Sequence, residues 1–125
     1  MGLLGGIIGN ASDASIESLQ DQFGELLVDG EIVEAGYKLV RDMIVLTNKR
    51  LIVLDIQGVT GRKQEFLTIP YARINRFAKE SSGLLDLDAE LSIWVNGQSE
   101  PIKKTFSKDG NVNEAYRILS KYVLG

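Results

Sequence analysis

Asp86, Asp88 and Glu90 alternate with Leu87, Ala89 and Leu91. In a strand this spacing puts three carboxylates on one face and three apolar side chains on the other. Such a row could offer oxygen ligands to a hard cation, but neither the Gly nor the distal bidentate Glu of a calcium loop follows at the required spacing. The residues favour a solvated strand face. A hairpin at Asn96-Gly97 would bring Glu90 beside Lys103 or Thr105, a fitting cross-strand neighbour. Anion binding would fall to Lys38, Arg41, Lys49, Arg50, Arg62 and Lys63, which are spread over several turns, with Asp42 directly beside Arg41. Recognition of an anionic headgroup wants a denser, unopposed basic cluster, so these six are weak ligand candidates. Gly5, Gly6 and Gly9 follow no strand and precede no Walker lysine, which removes the nucleotide-loop reading.

The chain has no His and no Cys. That excludes disulfides and thiolate metal sites, and it removes the commonest general base and metal ligand. No nucleophile–base pair is recognisable, so a protein that is not an enzyme and carries no metal or cofactor is expected. At 125 residues, 44% apolar and 25% charged, the chain fits one ordinary globular domain over 1–125. Residues 1–36 hold seven acids and no base, whereas the remainder holds 14 bases and 10 acids, a net of +4. An acidic segment on a mildly basic body is self-complementary and is not a nucleic-acid footprint. The apolar, glycine-rich stretch 1–12 lacks a basic leader and is too short and too interrupted for a signal peptide or membrane span. Gly6 stands where myristoylation needs Ser or Thr. Without a targeting signal the expectation defaults to the cytoplasm.

The elements that must position these residues follow from periodicity. Ile16, Leu19, Phe23, Leu26 and Leu27 form one stripe of an amphipathic helix over 13–29, with Asp13, Glu17, Asp21 and Glu25 roughly opposite and Gly30 as its stop. Strands are expected near 32–40, 42–47, 50–57, 62–69, 74–80, 85–95 and 100–106, joined by the loop 58–61 and by a type I′ turn at Asn96-Gly97. Asn111 should cap a closing helix over 111–124, with Glu114 reaching back to it, and Val112, Ala115, Tyr116, Leu119, Tyr122 and Val123 form its apolar face. The hairpin of residues 42–55 is apolar on both sides. Ile44, Leu46, Ile52 and Leu54 are expected on one face, and Met43, Val45, Leu51 and Val53 on the other. A half-solvated sheet would alternate apolar with polar, so each face needs a cover: a barrel interior for one, a helix or a second subunit for the other.

Helix, seven antiparallel strands and a C-terminal helix make a mainly β plan: a seven-stranded antiparallel barrel or split sandwich over 31–106, with a C-terminal capping helix and an extra N-terminal helix. The chain resembles the bacterial pleckstrin-homology family. The matching segments are Gly2-Leu-Leu and Gly9-Asn-Ala-Ser12, Tyr37-Lys-Leu-Val-Arg-Asp-Met-Ile-Val-Leu-Thr-Asn-Lys-Arg-Leu-Ile52, Gly58-Val-Thr-Gly61, Ile69-Pro-Tyr71 and Leu85-Asp-Leu-Asp-Ala-Glu-Leu91. The resemblance implies that fold and also cyclic homo-oligomers, a pentamer among them, but it brings no function. Eukaryotic pleckstrin-homology domains that hold phosphoinositides cluster bases around the loop joining their first two strands, where this chain offers only Lys38, Arg41 and Asp42. The candidates for a subunit contact are Leu3, Leu4, Ile7 and Ile8 of the N-terminal stretch, Met43 and Val45 of the hairpin, and Trp94. Trp94 reads equally as a ring resting under a loop. The expectation is a self-assembling interaction scaffold, with another copy or another protein as partner. The alternative is a peripheral module that gathers weak contacts to membrane lipid through ring avidity.

Overall fold

The computed structural model describes residues 15–39, 42–57, 63–81, 88–107 and 111–125. In chain order these form α1 (Ile16–Phe23), β1 (Val33–Lys38), β2 (Asp42–Thr47), β3 (Arg50–Gln57), β4 (Lys63–Pro70), a 3-10 turn (Tyr71–Arg73), β5 (Ile74–Ser81), β6 (Asp88–Val95), β7 (Ile102–Ser107) and α2 (Val112–Val123). The strands build a four-stranded sheet, ordered β1-β2-β3-β4, and a three-stranded sheet, ordered β5-β6-β7, with every pairing antiparallel. The mainly β plan expected from the sequence is present.

The hairpin β2–β3 is buried on both faces, but its facing sets differ from the sequence expectation. Two residues, Asn48 and Lys49, connect the strands, which puts Leu46 opposite Leu51, Val45 opposite Ile52, Ile44 opposite Val53 and Met43 opposite Leu54. Directly opposed residues share a face. The inner set is therefore Ile44, Leu46, Leu51 and Val53, and the outer set is Met43, Val45, Ile52 and Leu54. The expected sets exchanged the β3 halves, a one-residue parity error of the kind that flips a whole strand. Thr47 Oγ1 fixes the turn by accepting from the backbone N–H of Lys49 and of Arg50, both at 3.0 Å.

The inner set meets Leu91, Ile93 and Phe106 of the second sheet and Ala115 and Leu119 of α2 in the main core. The outer set lies under Leu19 and Phe23 of α1, so the second cover is a helix of the same chain. Met43 and Val45 are 0% exposed and are not available to a neighbouring copy in this arrangement. Gly36 on β1 lets α1 come close, since a methyl placed there would sit 2.3 Å from Leu19 Cδ1.

α1 is shorter than its apolar stripe suggests. Ser15 caps it by accepting from the Ser18 N–H, and it ends at Phe23, leaving Leu26 and Ile16 about half exposed. Two groups take the backbone partners that a longer helix would use. Arg50 Nη2 donates to the Leu26 carbonyl at 2.7 Å, and Glu31 Oε1 accepts the Val28 N–H at 3.0 Å. At the other end Asn111 caps α2 as expected, accepting the Glu114 N–H at 3.2 Å. The Glu114 carboxylate does not complete a capping box; it accepts from Tyr37 Oη at 2.5 Å. Tyr122 Oη donates to Glu34, also on β1, and the Tyr122 ring stacks on Tyr71 with centroids 4.9 Å apart. After Asn96-Gly97 pairing resumes only at Ile102, because Pro101 has no N–H to give the ladder.

Gly36→Ala should destabilise the fold by about 1–3 kcal/mol through overpacking. Leu19→Ala, which empties the space over Gly36, should cost roughly 2–5 kcal/mol. Urea unfolding midpoints check both, and a Gly36→Ala protein as stable as the parent would refute the notch between helix and strand.

Candidate functional site

The four cationic candidates within the described residues fall into two separate pairs. Lys38 and Lys63 lie at the end of the four-stranded sheet where β3 finishes, and Lys49 and Arg50 lie at the opposite end, where β3 begins. Lys63, opposite Gln57, is seven steps or roughly 23 Å along β3 from Arg50, and Lys38, level with Leu54, is four steps or roughly 13 Å away. Arg41 and Arg62 fall outside the described residues.

Arg50 is also committed elsewhere. Its Nε and Nη2 each approach the Glu31 carboxylate at 2.8 Å, a two-pronged pair, and its Nη1 donates to Thr68 Oγ1 at 3.1 Å. Thr47 Oγ1 donates to Glu31 Oε2 at 2.7 Å. The Glu31 side chain is fully buried. Burial alone would push its carboxyl up, but hydrogen bonds from Arg50, Thr47 and the Val28 N–H outweigh that and hold it at about 2. The same carboxylate raises the Arg50 guanidinium above its ordinary value. Charge in this part of the chain joins the loop after α1 to the β2–β3 turn and the edge of β4. Four of the five N–H donors of Arg50 are taken up in this way.

The alternating carboxylates take the orientation expected of them. Glu90 pairs with Thr105 on β7 and with Glu80 on β5, while Lys103 pairs with Ser92. Asp86 lies outside the described residues, and no group of three or more carboxylates among the described residues is arranged to hold a metal ion.

Among the described residues, β4 is an exposed edge strand that sequence reasoning did not single out. It pairs only with β3 and forms an edge of the four-stranded sheet. Residues 63–68 are all exposed, with Phe66 at 44% and Leu67 at 40% on opposite faces. Phe66 sits edge-on to Phe23 of α1, with centroids 5.9 Å apart. On the Leu67 side, a groove of about 470 Å³ runs between β4 and the β6–β7 connection. Leu67, Ile69, Val95 and Ile102 supply its apolar lining, and Arg73 and Glu100 its charge. The signal in the sequence was adjacent Phe66 and Leu67: Leu67 alternates with the buried Ile69, and Phe66 falls on the other face, where it needs a partner or stays wet.

Of the expected contact residues, Leu3, Leu4, Ile7 and Ile8 lie outside the described residues. Met43 and Val45 are beneath α1. Trp94 is partly exposed, and the Arg76 guanidinium lies over its ring at 4.6 Å from the centroid, so its cover is a neighbouring side chain. No helix among the described residues is long and apolar enough to cross a membrane.

The profile of the family described as Bacterial PH domain matches residues 2–123. The chain is similar to the uncharacterized protein YjqA of Bacillus subtilis (strain 168), 47% identical over 121 residues, covering 96% of this chain and 97% of that one. Its fold is similar to the crystal structure of a DUF1696-family protein with a pleckstrin-homology domain from Shewanella loihica PV-4. There the TM-score is 0.83 and the identity 37%, over 92% of this chain and 98% of that one. A pleckstrin-homology domain from Shewanella amazonensis SB2B gives a TM-score of 0.80 and 40% identity, over 89% and 100% of the respective chains.

The Glu31–Arg50 pair sets a pH dependence. The folded-state value of Glu31, about 2, lies below its ordinary 4.5, so its contribution is complete above the ordinary value and is lost as pH falls from about 4.5 to about 2. Glu31→Gln should lower stability at neutral pH by ~3 kcal/mol, because Arg50 is left without its buried counter-charge. It should also flatten the acid limb of a stability–pH curve measured by denaturant titration. An unchanged acid limb would refute the assignment.

Proposed function

The chain belongs to the bacterial PH-domain family, and we propose that it works as a non-catalytic, self-assembling interaction module. The observation that carries this is the open edge β4, with Phe66 and Leu67 exposed beside the groove. An edge strand offers unpaired N–H and C=O groups to another chain, and proteins block such edges when they must stay alone. β4 ends in Pro70, and its two inward-facing charges, Lys63 and Glu65, lie near its start, so the stretch 66–69 carries no inward charge. Exposed apolar side chains next to the edge add the non-directional part of a contact. When such an edge meets an unlike surface on the next copy, the contact repeats head to tail and closes into a ring if the rotation permits. A cyclic homo-oligomer, five-membered in the simplest expectation, is the assembly proposed, and its groove is where a further protein would be received. The absence of His and Cys supports the non-catalytic reading.

The alternative, a module for anionic lipid, draws no support from the cations. The four among the described residues lie in pairs towards two ends of one sheet, and Arg50 is neutralised by Glu31. Each base near an anionic surface is worth only ~1 kcal/mol, so dispersed pairs hold nothing firmly.

Light scattering at low micromolar concentration should report a mass several times 13.8 kDa. Leu67→Glu, which places a charge at the groove without touching the core, should shift that mass towards the single chain. A concentration-independent monomer overturns the proposal. A monomeric variant sedimented with anionic vesicles at physiological salt should stay in the supernatant, and micromolar binding would put the lipid reading first.

A further inference from the structure

The outer face of the three-stranded sheet is divided by charge. Across it, Arg76 stands opposite Trp94, Ala78 opposite Ser92, and Glu80 opposite Glu90, with Thr105 beyond Glu90. The other face, with Phe77, Leu91 and Ile93, points into the core, so these residues project away from it. At one end the Arg76 guanidinium and the Trp94 indole form a cationic stack. At the other end, four residues or about 13 Å along β5, lies a hollow of about 400 Å³ lined by Glu80, Asp88, Glu90 and Thr105. Glu80 and Glu90 oppose each other directly, a like-charge pair that costs stability in an isolated sheet. Between the two ends sit the small residues Ala78 and Ser92.

We propose that this face binds the same face of a second copy. The pairing relates the copies by a half-turn about an axis that lies in the interface and crosses the strands at Ala78 and Ser92. That operation brings Arg76 of each copy over Glu80 of the other, and Trp94 over Glu90. Each cationic stack then enters the partner's acidic hollow, and the like-charged pair gains a counter-charge. The small central residues let the sheets approach. Arg and Trp are the residues on which such contacts most often depend. Lys103, opposite Ser92 on the edge strand β7, lies on the same row as the axis and meets the other copy's Lys103 at the exposed rim, a like-charge contact that the two Arg76–Glu80 pairs must outweigh. The contact is isologous, unlike the head-to-tail contact at β4, and so it joins copies in pairs. The proposal takes its occupant, a second copy, from the self-assembly reading.

Light scattering on the full chain at low and high salt tests it. The expected result is a mass at low salt twice that of the species left at high salt, because facing charges are screened by salt. Arg76→Glu alone and the double variant Glu80→Lys/Glu90→Lys alone should each show only the smaller species at low salt. An equimolar mixture of the two should restore the larger one. Circular dichroism should match the parent, since all three side chains lie outside the core. Variants that keep the salt-sensitive doubling, or a mixture that does not restore it, overturn this pairing and leave assembly through β4 standing. A parent protein that is monomeric at every concentration overturns both.

Discussion

A hairpin that is apolar on both faces has no stable place at a surface, and most of this molecule can be understood as a response to β2 and β3. Wet on one side, four side chains of this kind would each forgo roughly 1.5–3 kcal/mol. The inner set is enclosed by the second sheet and α2, the outer set by α1. Two hydrophobic clusters in one small domain result, separated by a single sheet. The second is the more economical, since two anchors, Leu19 and Phe23, complete it, and Gly36 is the concession that lets Leu19 reach the sheet.

The charged groups are arranged around that enclosure. The Glu31–Arg50 pair sits where the chain leaves α1 and must enter β1, and it binds backbone as well as side chain: Arg50 takes the Leu26 carbonyl and Glu31 the Val28 N–H. A buried ion pair often contributes little net stability, but its geometry specifies one path for the chain. Here it ends a helix whose apolar pattern would continue. A residue that reads as an anion ligand in the sequence thus becomes a fixed part of the scaffold. Asn48 adds to the same junction, accepting the Ile32 N–H at 2.8 Å and donating to the Gly30 carbonyl at 3.1 Å.

Element types and the two-sided hairpin were legible because each rests on local periodicity. The closing helix was equally plain, down to its Asn111 cap. What was not legible depends on partners distant in sequence. The hairpin's facing sets follow once the strand bounds 42–47 and 50–57 are paired through a two-residue turn, and the expected β3 half was one residue out of step with that pairing. The end of α1 was set by Arg50, which is 24 residues beyond the carbonyl it captures. Glu114 suits a capping box locally and is drawn instead to Tyr37. β4 escaped notice because edge position is a property of sheet order, and its local signal is one residue, Phe66, on the face opposite Leu67 and Ile69. Trp94 was equally divided between a local cover and a contact with a neighbour until β5 placed Arg76 opposite it.

The two tyrosine–glutamate bonds of α2 bear on how the chain is made. Tyr37–Glu114 and Tyr122–Glu34 span 77 and 88 residues, nearly the length from the first strand to the last helix. During synthesis β1 emerges early, and the groups that fasten it to α2 emerge only 77 and 88 residues later. Until then the first sheet has its outer cover available and its inner face open. Vectorial folding of this domain is therefore two-staged: α1 with β1–β4 is a candidate early unit, and closure of the core waits for α2.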